Sequence, residues 1–186
     1  MMEPLPYQVT AAGRSYDGIA PLPVSVLLDN IRSLYNIGSF FRTGDAAGIE
    51  RLYLSGISGA PPHKGISKTA LGSEDTVPWE RIGDPFHLVN ALRKRDFEIA
   101  AVETSIHAVD LFEWQPRFPV LLLFGNEKDG LVPELGAQAD RHVRIPMLGK
   151  KHSLNVSTAG GIVIYELLRK YQLLFRGNPQ SLHFPV

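Results

Sequence analysis

Short apolar segments alternate with segments of helical periodicity along most of the chain. The apolar segments predict five strands, at 24–28, 51–55, 97–102, 120–124 and 142–145. Several are apolar at every position, which is typical of strands covered on both faces. Helical periodicity predicts four helices, at 37–47, 85–95, 133–139 and 154–175. The repeated order of strand and helix predicts an α/β fold with a mostly parallel sheet and helices on both faces.

The two ends of the chain differ in composition from its centre. Residues 1–23 are rich in proline and glycine, which favours a loosely packed N-terminal arm. The Asn178-Pro179 pair follows the last predicted helix and disfavours its continuation. A chain of 186 residues is long enough for one domain with a substantial core. We therefore expect an arm over 1–23, one domain over 24–175 and a tail over 176–186.

The composition is that of an ordinary globular protein of the cytoplasm. Hydrophobic residues make up 44% and charged residues 20% of the chain, and no cysteine is present for disulfides or thiolate metal sites. No apolar run approaches the length of a membrane span, and the N-terminus does not resemble a secretory signal. Because 19 basic residues balance 19 acidic ones, any binding of nucleic acid would depend on a local basic surface.

The first segment with candidate chemistry directly follows the strand predicted at 24–28. If a helix starts near Ile37, Arg42 lies on its second turn, and Gly38 allows a close approach at its N-terminus. The alternative is an amphipathic helix with Asn36 as its cap and Arg42 in solvent.

The second segment begins where the strand predicted at 120–124 ends. Gly125-Asn126-Glu127 and Gly130 precede a helix start near Pro133. Glycines at such positions let the backbone bend and approach a ligand closely. Ligands of parallel sheets bind at the carboxyl ends of the strands, which is where these residues fall. An ordinary connection between strand and helix is the alternative.

The third segment joins the strand predicted at 142–145 to the last helix. Ile145-Pro146-Met147 leads into a loop, and Ser153-Leu154-Asn155 opens the helix, with Ser153 as a natural N-cap. The alternative is that Ser153 and Asn155 serve only to cap the helix. Gly160-Gly161 inside the helix costs about 1 kcal/mol per glycine relative to alanine. We therefore expect a close helix contact there, within the chain or across a dimer.

Several common enzyme motifs are absent from the sequence. Gly149-Lys150 lacks the remaining residues of a P-loop, and no G-x-G-x-x-G occurs. The six histidines have no metal-site spacing, and neither H-E-x-x-H nor G-x-S-x-G is present. We therefore expect neither a metal site nor a covalent nucleophile.

Taken in order, the three segments closely resemble the motifs of the SpoU/TrmH family, within the SPOUT superfamily of RNA methyltransferases. The matching patterns are N-x-R-x-x-x-N-x-G-x-x-x-R at 30–42, F-G-N-E-x-x-G-L at 124–131 and I-P-M-x-G-x-x-x-S-L-N-V-S at 145–157. The resemblance implies a C-terminal trefoil knot, against the general rule that chains do not knot. It also implies a homodimer with its active sites near the subunit interface.

The resemblance further implies the reaction, which is transfer of a methyl group from S-adenosylmethionine to a ribose 2′-hydroxyl of RNA. The cofactor-binding residues that it implies are Glu103, Gly125, Ile145, Met147 and Leu154. The catalytic residues that it implies are Arg42, Asn36, Glu127, Ser153 and Asn155. We expect RNA contacts at Arg32, Lys150 and Lys151, with Lys64 and Lys68 as further candidates.

The roles expected of these residues follow from their chemistry. Arginine is protonated at neutral pH, so we expect Arg42 to stabilise the developing alkoxide rather than to act as a base. We expect Asn36 to orient the hydroxyl, and Glu127 to hold the Arg42 guanidinium by a paired hydrogen bond. Among substrates, tRNA is favoured over rRNA because small relatives often act on tRNA.

Three other functions remain open on the sequence alone. The chain could be a non-catalytic RNA-binding protein on the same scaffold, which binding of the cofactor with turnover would exclude. It could methylate a base, as other SPOUT proteins do, which nucleoside analysis of the product would decide. An unrelated α/β metabolic enzyme would require the three motifs to occur together by coincidence.

Overall fold

The structure of the protein is a computed structural model, which describes residues 20–150 and 152–174. Within this part of the chain, seven strands form one sheet in the order β3-β2-β1-β6-β4-β7-β5, and all its pairings are parallel. The strands are β1 (Leu22–Asp29), β2 (Ile49–Ser55), β3 (Trp79–Arg81), β4 (Glu98–Val102), β5 (Val109–Asp110), β6 (Val120–Phe124) and β7 (Arg141–Arg144).

The helices of the described chain connect these strands. They are α1 (Leu34–Ala47), α2 (Lys64–Ala70), α3 (Pro85–Arg93), α4 (Pro133–Gly136) and α5 (Val156–Leu174), with a 3-10 turn at Ser73–Asp75. None of them is both long and apolar enough to cross a membrane. The predicted arm and tail lie outside the described residues except for residues 20–23, of which Leu22 and Pro23 already belong to β1.

Helix α1 begins at Leu34, earlier than the start predicted near Ile37. Its N-cap is Ser33, whose hydroxyl accepts a hydrogen bond from the Asn36 amide at 3.2 Å. The cap is therefore not Asn36, and Arg42 lies on the third turn of the helix rather than the second. The helix ends at Gly48 as predicted, in the left-handed conformation that glycine adopts without strain.

Alternate positions of each central strand face opposite layers of helices. Val24, Val26 and Leu28 of β1 belong to the core cluster that includes residues of α1 and α5. Leu27 faces the other way, into a cluster with residues of α3 and α4. The period of two in burial confirms the prediction of a parallel sheet covered by helices on both faces.

Three short elements were missed from the sequence. Strands β3 and β5 have three and two residues and lie at the two edges of the sheet. Helix α2 has seven residues, of which only Ile66 and Ala70 are buried. Periodicity cannot identify such short segments, because their pairing with a neighbour decides their conformation. The predicted helix 133–139 is also shorter, since α4 ends at Gly136.

Helices α1 and α5 approach closely at Gly160. A Cβ atom added to Gly160 would lie 2.2 Å from the ring of Phe40, so only glycine fits at this position. Phe40 in turn packs edge-on against Phe124 at the end of β6, with ring centroids 5.1 Å apart. The close helix contact expected at this glycine therefore exists within the chain, and it fixes α1 and α5 on the same face of the sheet.

Candidate active site

A cleft of about 380 Å³ lies at the carboxyl ends of β4, β6 and β7. The chain proceeds from β1 to β2 on one side of β1, whereas β6, β4 and β7 lie on the other side. Such a switch point leaves a crevice between the connections, and this is where parallel sheets bind ligands. The cleft is lined by residues 102–104, 124–130, 143–145, 147, 153, 154, 156 and 159.

The loop after β6 bends sharply and forms one wall of the cleft. Asn126 and Gly130 pair as an antiparallel bridge, with N–H to oxygen distances of 3.0 and 2.9 Å. A Cβ atom at Gly125 would lie 2.2 Å from the Gly130 carbonyl carbon and from the Leu131 amide nitrogen. Position 125 therefore requires glycine because the backbone crosses itself closely, as the sequence predicted for this turn.

Glu103 connects the end of β4 to the same loop. Its Oε1 accepts a hydrogen bond from the Leu131 amide at 2.7 Å. Its Oε2 makes no hydrogen bond to any residue that the structure describes. The carboxylate lines the cleft with one oxygen available to a ligand.

Seven of the residues expected at the site line this cleft, and they come from four separate segments of the chain. They are Glu103, Gly125, Glu127, Ile145, Met147, Ser153 and Leu154. Asn36 and Asn155 adjoin the cleft through hydrogen bonds. Arg32 and Lys150 are exposed, and Lys151 lies outside the described residues.

Glu127 links the loop after β6 to the N-terminus of α1. Its Oε1 accepts hydrogen bonds from the Ser33 amide and from Asn36 Nδ2, both at 3.0 Å, and its Oε2 accepts one from the Arg32 amide at 3.1 Å. The Asn36 side chain then accepts a hydrogen bond from Asn155 Nδ2 at 3.0 Å. This network of Glu127, Asn36 and Asn155, here called the amide network, joins all three motif segments.

The hydrogen bonds to Glu127 determine its charge. Partial burial by itself would raise the pKa of the carboxyl group. The backbone amides of Glu127, Arg32 and Ser33 and the side chain of Asn36 outweigh burial, so the pKa lies below its ordinary value. Glu127 is therefore a carboxylate that only accepts hydrogen bonds, which fixes the amide of Asn36 with its nitrogen towards Glu127.

Asn155 is the N-cap of α5, a role that the sequence gave to Ser153. Its Oδ1 accepts hydrogen bonds from the amides of Ser157 at 2.9 Å and Thr158 at 3.2 Å. Ser153 lies too far before the first helical residue, Val156, to cap it, and it faces the cleft instead. Capping leaves the Asn155 Nδ2 group free to donate to Asn36, so the two interpretations of Asn155 are compatible.

Arg42 faces away from the amide network. It is exposed and lies six residues after Asn36, which turns its side chain about 120° from that of Asn36. In the described chain it neither lines the cleft nor bonds to Glu127, whose oxygens bind Arg32, Ser33 and Asn36. A single chain thus contains the cleft and the network but does not bring Arg42 to them.

Asn30 is a residue of the first motif whose role the sequence did not reveal. It adopts a left-handed conformation with φ of 57°, and its Oδ1 accepts from the Ile57 amide at 3.2 Å. Its carbonyl oxygen accepts from Asn126 Nδ2 at 2.9 Å. Asn30 thereby ties the connections after β1, β2 and β6 together. Asparagine tolerates this conformation better than most residues, which is the only sequence feature that could have revealed it.

The fold and the cleft define an α/β protein with a partly apolar cleft beside a polar network at the switch point of its sheet. The model of the SpoU rRNA Methylase family matches residues 23–165. The chain therefore belongs to this family, as its motifs indicated.

Individual relatives agree with the family assignment. The chain is 35% identical over 147 residues to the tRNA (guanosine(18)-2′-O)-methyltransferase of Aquifex aeolicus, covering 78% of this chain and 68% of that protein. It superposes on the TrmH/SpoU tRNA modifying enzyme of A. aeolicus with a TM-score of 0.75 at 32% identity, over 82% and 77% of the two chains. The AdoMet-bound rRNA methyltransferase of Sinorhizobium meliloti gives a TM-score of 0.73 at 31% identity, over 81% and 60%.

The matches do not extend over the whole of the relatives. The matched part of the chain spans between 58% and 68% of the length of the first curated relatives.

Proposed function

We propose that the protein is an S-adenosylmethionine-dependent methyltransferase that acts on a ribose 2′-hydroxyl of RNA. The observation that carries the proposal is the amide network at the rim of the cleft, where Glu127, Asn36 and Asn155 join the three motif segments. The names of the relatives support it, since A. aeolicus provides a tRNA 2′-O-methyltransferase and S. meliloti an AdoMet-bound rRNA methyltransferase.

The cleft fits the proposed cofactor on the evidence of its own residues. The backbone approach at Gly125 excludes every side chain and so leaves amide and carbonyl groups next to the cavity. Ile145, Met147 and Leu154 supply apolar surface for a purine ring and the aliphatic part of a sulfonium chain. The Glu103 oxygen without a described partner suits the hydroxyls of a ribose. When bound, the cofactor supplies an electrophilic methyl group.

The residues of the chain position the hydroxyl that attacks this methyl group. The Asn36 amide is held on both sides, by Glu127 and Asn155, so it presents a fixed dipole at the rim of the cleft. Positioning of this kind lowers the barrier, because the translational and rotational entropy of the reactants is lost on binding and not during the reaction. Ser153 faces the cleft from its other side and contacts substrate or cofactor.

Arg42 supplies positive charge for the oxygen as it becomes negative. A guanidinium remains protonated, so it acts as an electrostatic stabiliser rather than a base. The attacking hydroxyl would release its proton to water, and the demethylated cofactor would be the leaving group. Since Arg42 faces away from the cleft of its own chain, we assign it to the cleft of a partner copy. In this assignment Glu127 accepts hydrogen bonds from the N-terminus of α1 and does not hold the Arg42 guanidinium.

The proposal therefore includes a homodimer, and we retain the trefoil knot that the resemblance implies for the C-terminal segment. Support for the dimer comes from the outer face of α5, where Tyr165 is 48% exposed and Ile162 is only partly covered. Apolar side chains on an exposed helix face favour a protein contact. The domain layout proposed remains an arm over 1–23, a methyltransferase domain over 24–175 and a tail over 176–186.

RNA is the proposed substrate, and tRNA in the cytoplasm is favoured over rRNA. Arg32, Lys150 and Lys151 would neutralise phosphates around the cleft. The relatives include enzymes for both RNA classes, so the class is a matter for experiment.

The test is methyl transfer from radiolabelled S-adenosylmethionine to total tRNA and to rRNA, assayed separately and followed by digestion to nucleosides. We expect a labelled 2′-O-methyl nucleoside, with Leu154→Glu as the control in which a carboxylate enters the apolar part of the cleft. A labelled base would establish base methylation instead. Protein that binds RNA but neither binds the cofactor nor transfers label would be a non-catalytic RNA-binding protein.

A further inference from the structure

The outer surface of α1 and α2 combines an exposed aromatic ring with several cations. Tyr35 is 53% exposed, and Lys68 Nζ lies 6.0 Å from the centroid of its ring. Arg42 lies seven residues after Tyr35, which places the two side chains on the same face of α1. Lys64 and Lys68 lie four residues apart on the exposed face of α2, opposite the buried Ile66 and Ala70. We refer to Tyr35, Arg42, Lys64 and Lys68 as the α1–α2 surface.

The cations of this surface form no ion pair with any residue that the structure describes; they are Arg42, Lys64 and Lys68. Elsewhere in the described chain, five basic side chains do form ion pairs with carboxylates; they are Arg93, Arg95, Arg144, Arg169 and Lys170. In a protein of zero net charge, these three side chains therefore form a local positive surface of the kind that phosphates require.

The Tyr35 ring projects from a fixed backbone. The backbone carbonyl oxygen of Tyr35 accepts hydrogen bonds from Ser39 Oγ and from Thr69 Oγ1, both at 2.9 Å. The second hydrogen bond links α1 directly to α2, so the two helices that carry the ring and the lysines are held in a fixed relative position. An exposed aromatic ring on a rigid support loses little entropy when another flat group stacks on it.

We propose that Tyr35 stacks on a nucleobase of the RNA substrate and that Lys68 binds the adjoining phosphate. The inference rests on the proposed function, since it names how the RNA reaches the same site. Stacking on aromatic side chains and pairing with cations is how single-stranded RNA is bound without a duplex groove.

The stacked base belongs to a nucleotide next to the methylated one. Tyr35 precedes Asn36 by one position on the helix, about 100° around its axis, so its ring points out of the amide network. It also lies about 10 Å along the helix from Arg42. A base on Tyr35 is thus outside the cleft of its own chain, while its neighbour along the strand can enter the cleft of the partner copy, to which Arg42 is assigned.

The test compares Tyr35→Leu, Tyr35→Phe and Lys68→Gln with the unchanged protein. Binding of a fluorescein-labelled single-stranded oligouridylate is measured by anisotropy over a range of salt concentrations. We expect Tyr35→Leu to weaken binding about tenfold or more, and Tyr35→Phe to retain it, because stacking uses the ring and not the hydroxyl. Lys68→Gln should make the plot of log binding constant against log salt concentration less steep, by the amount expected for the loss of about one phosphate contact.

Matched controls separate this surface from general effects. Phe112→Leu removes another exposed aromatic ring, and Lys94→Gln removes another exposed lysine, and both should bind the RNA as the unchanged protein does. In methyl transfer to tRNA, Tyr35→Leu should raise KM about tenfold with kcat nearly unchanged. Its affinity for S-adenosylmethionine, its melting temperature and its elution volume in size-exclusion chromatography should not change.

Two results would overturn the inference. One is unchanged RNA binding by Tyr35→Leu. The other is a shift of Tyr35→Leu from dimer to monomer, which would make this face an interface between copies. If the unchanged protein transfers no methyl group but Tyr35→Leu still weakens RNA binding, the proposed function fails and the binding surface stands.

Discussion

Side chains at the site act mainly by holding other groups in place. Glu127 accepts hydrogen bonds from two amides of the α1 N-terminus and from Asn36, and Asn155 holds the other end of the same Asn36 amide. Arg42, the residue with the most obvious chemistry, contacts none of them in the single chain. One chain therefore completes the amide network, whereas Arg42, the cation proposed to stabilise charge, lies outside it.

Replacement of Arg42 by alanine should lower turnover by about a hundredfold or more, because the developing alkoxide loses its cation. Steady-state methyl transfer and calorimetric titration with S-adenosylmethionine check this together. Cofactor affinity should stay nearly unchanged, since Arg42 does not line the cleft. Turnover close to that of the unchanged protein would exclude Arg42 from the reaction.

Replacement of Glu127 by glutamine should destabilise the protein in a pH-dependent way. The pKa of Glu127 is lowered in the folded state, so its ionised form stabilises the fold above the unfolded pKa of about 4.5 and the gain is lost as pH falls through the folded pKa. Urea unfolding of both proteins between neutral and acidic pH measures the difference in free energy. It should be largest at neutral pH and shrink below about pH 4.5. A difference independent of pH would contradict the assignment of an ionised Glu127.

Contacts between elements decide where glycine is required. The contact of Gly160 with Phe40 joins α5 to α1, and Phe40 joins α1 to β6. The neighbouring Gly161 is different, since an added Cβ would meet only Thr43 Cγ2, at 4.0 Å. Two adjacent glycines of one helix thus have unequal tolerance for a side chain.

Gly160→Ala should lower the free energy of unfolding by about 1–3 kcal/mol, because the added methyl group overlaps the Phe40 ring. Gly161→Ala is the matched control and should be neutral or stabilising by up to about 1 kcal/mol, since alanine favours helix more than glycine does. Chemical denaturation of both variants measures the difference. Equal effects at the two positions would contradict this prediction, because they would show that the Phe40 ring moves to accommodate the added methyl group at little cost in free energy.

At the scale of the whole molecule, the proposed site lacks Arg42 when only one chain is considered. The cleft and the amide network lie at the carboxyl end of the sheet, while Arg42 faces outward from α1. Two copies that meet through α5 could bring Arg42 of one chain to the cleft of the other. The proposed dimer would complete the proposed site and would also bury Tyr165 and Ile162.

Mixed dimers test this shared site. Arg42→Ala and Leu154→Glu should each be inactive alone, the second because a carboxylate enters the apolar part of the cleft. Coexpression should restore part of the methyl transfer, since one cleft of each mixed dimer keeps Leu154 and receives an intact Arg42. If the arginine served its own cleft, mixing would restore nothing.

Much of this protein could be predicted from its sequence. Apolar runs identified β1, β4 and β6, because strands buried on both faces must be largely apolar. The strands β2 and β7 were also predicted, although β7 has two arginines and only Val143 of it is buried. The glycine turn at 125 and the polar residues of the three motifs were also predictable, since their types and order are specific. Cap positions were less predictable, because Ser33 and Asn155 compete with equally suitable neighbours, Asn36 and Ser153.

The sequence by itself determined the class of fold and the family, and it provided the residues proposed for the site, because these depend on local patterns and on residue types. Only the tertiary structure decided which of these residues meet. It paired Glu127 with the α1 N-terminus instead of Arg42, gave Asn155 both a cap and a contact to Asn36, and brought Tyr35 beside Lys68. Such contacts join residues of different segments, and their geometry follows from how helices and strands pack, which no local pattern contains.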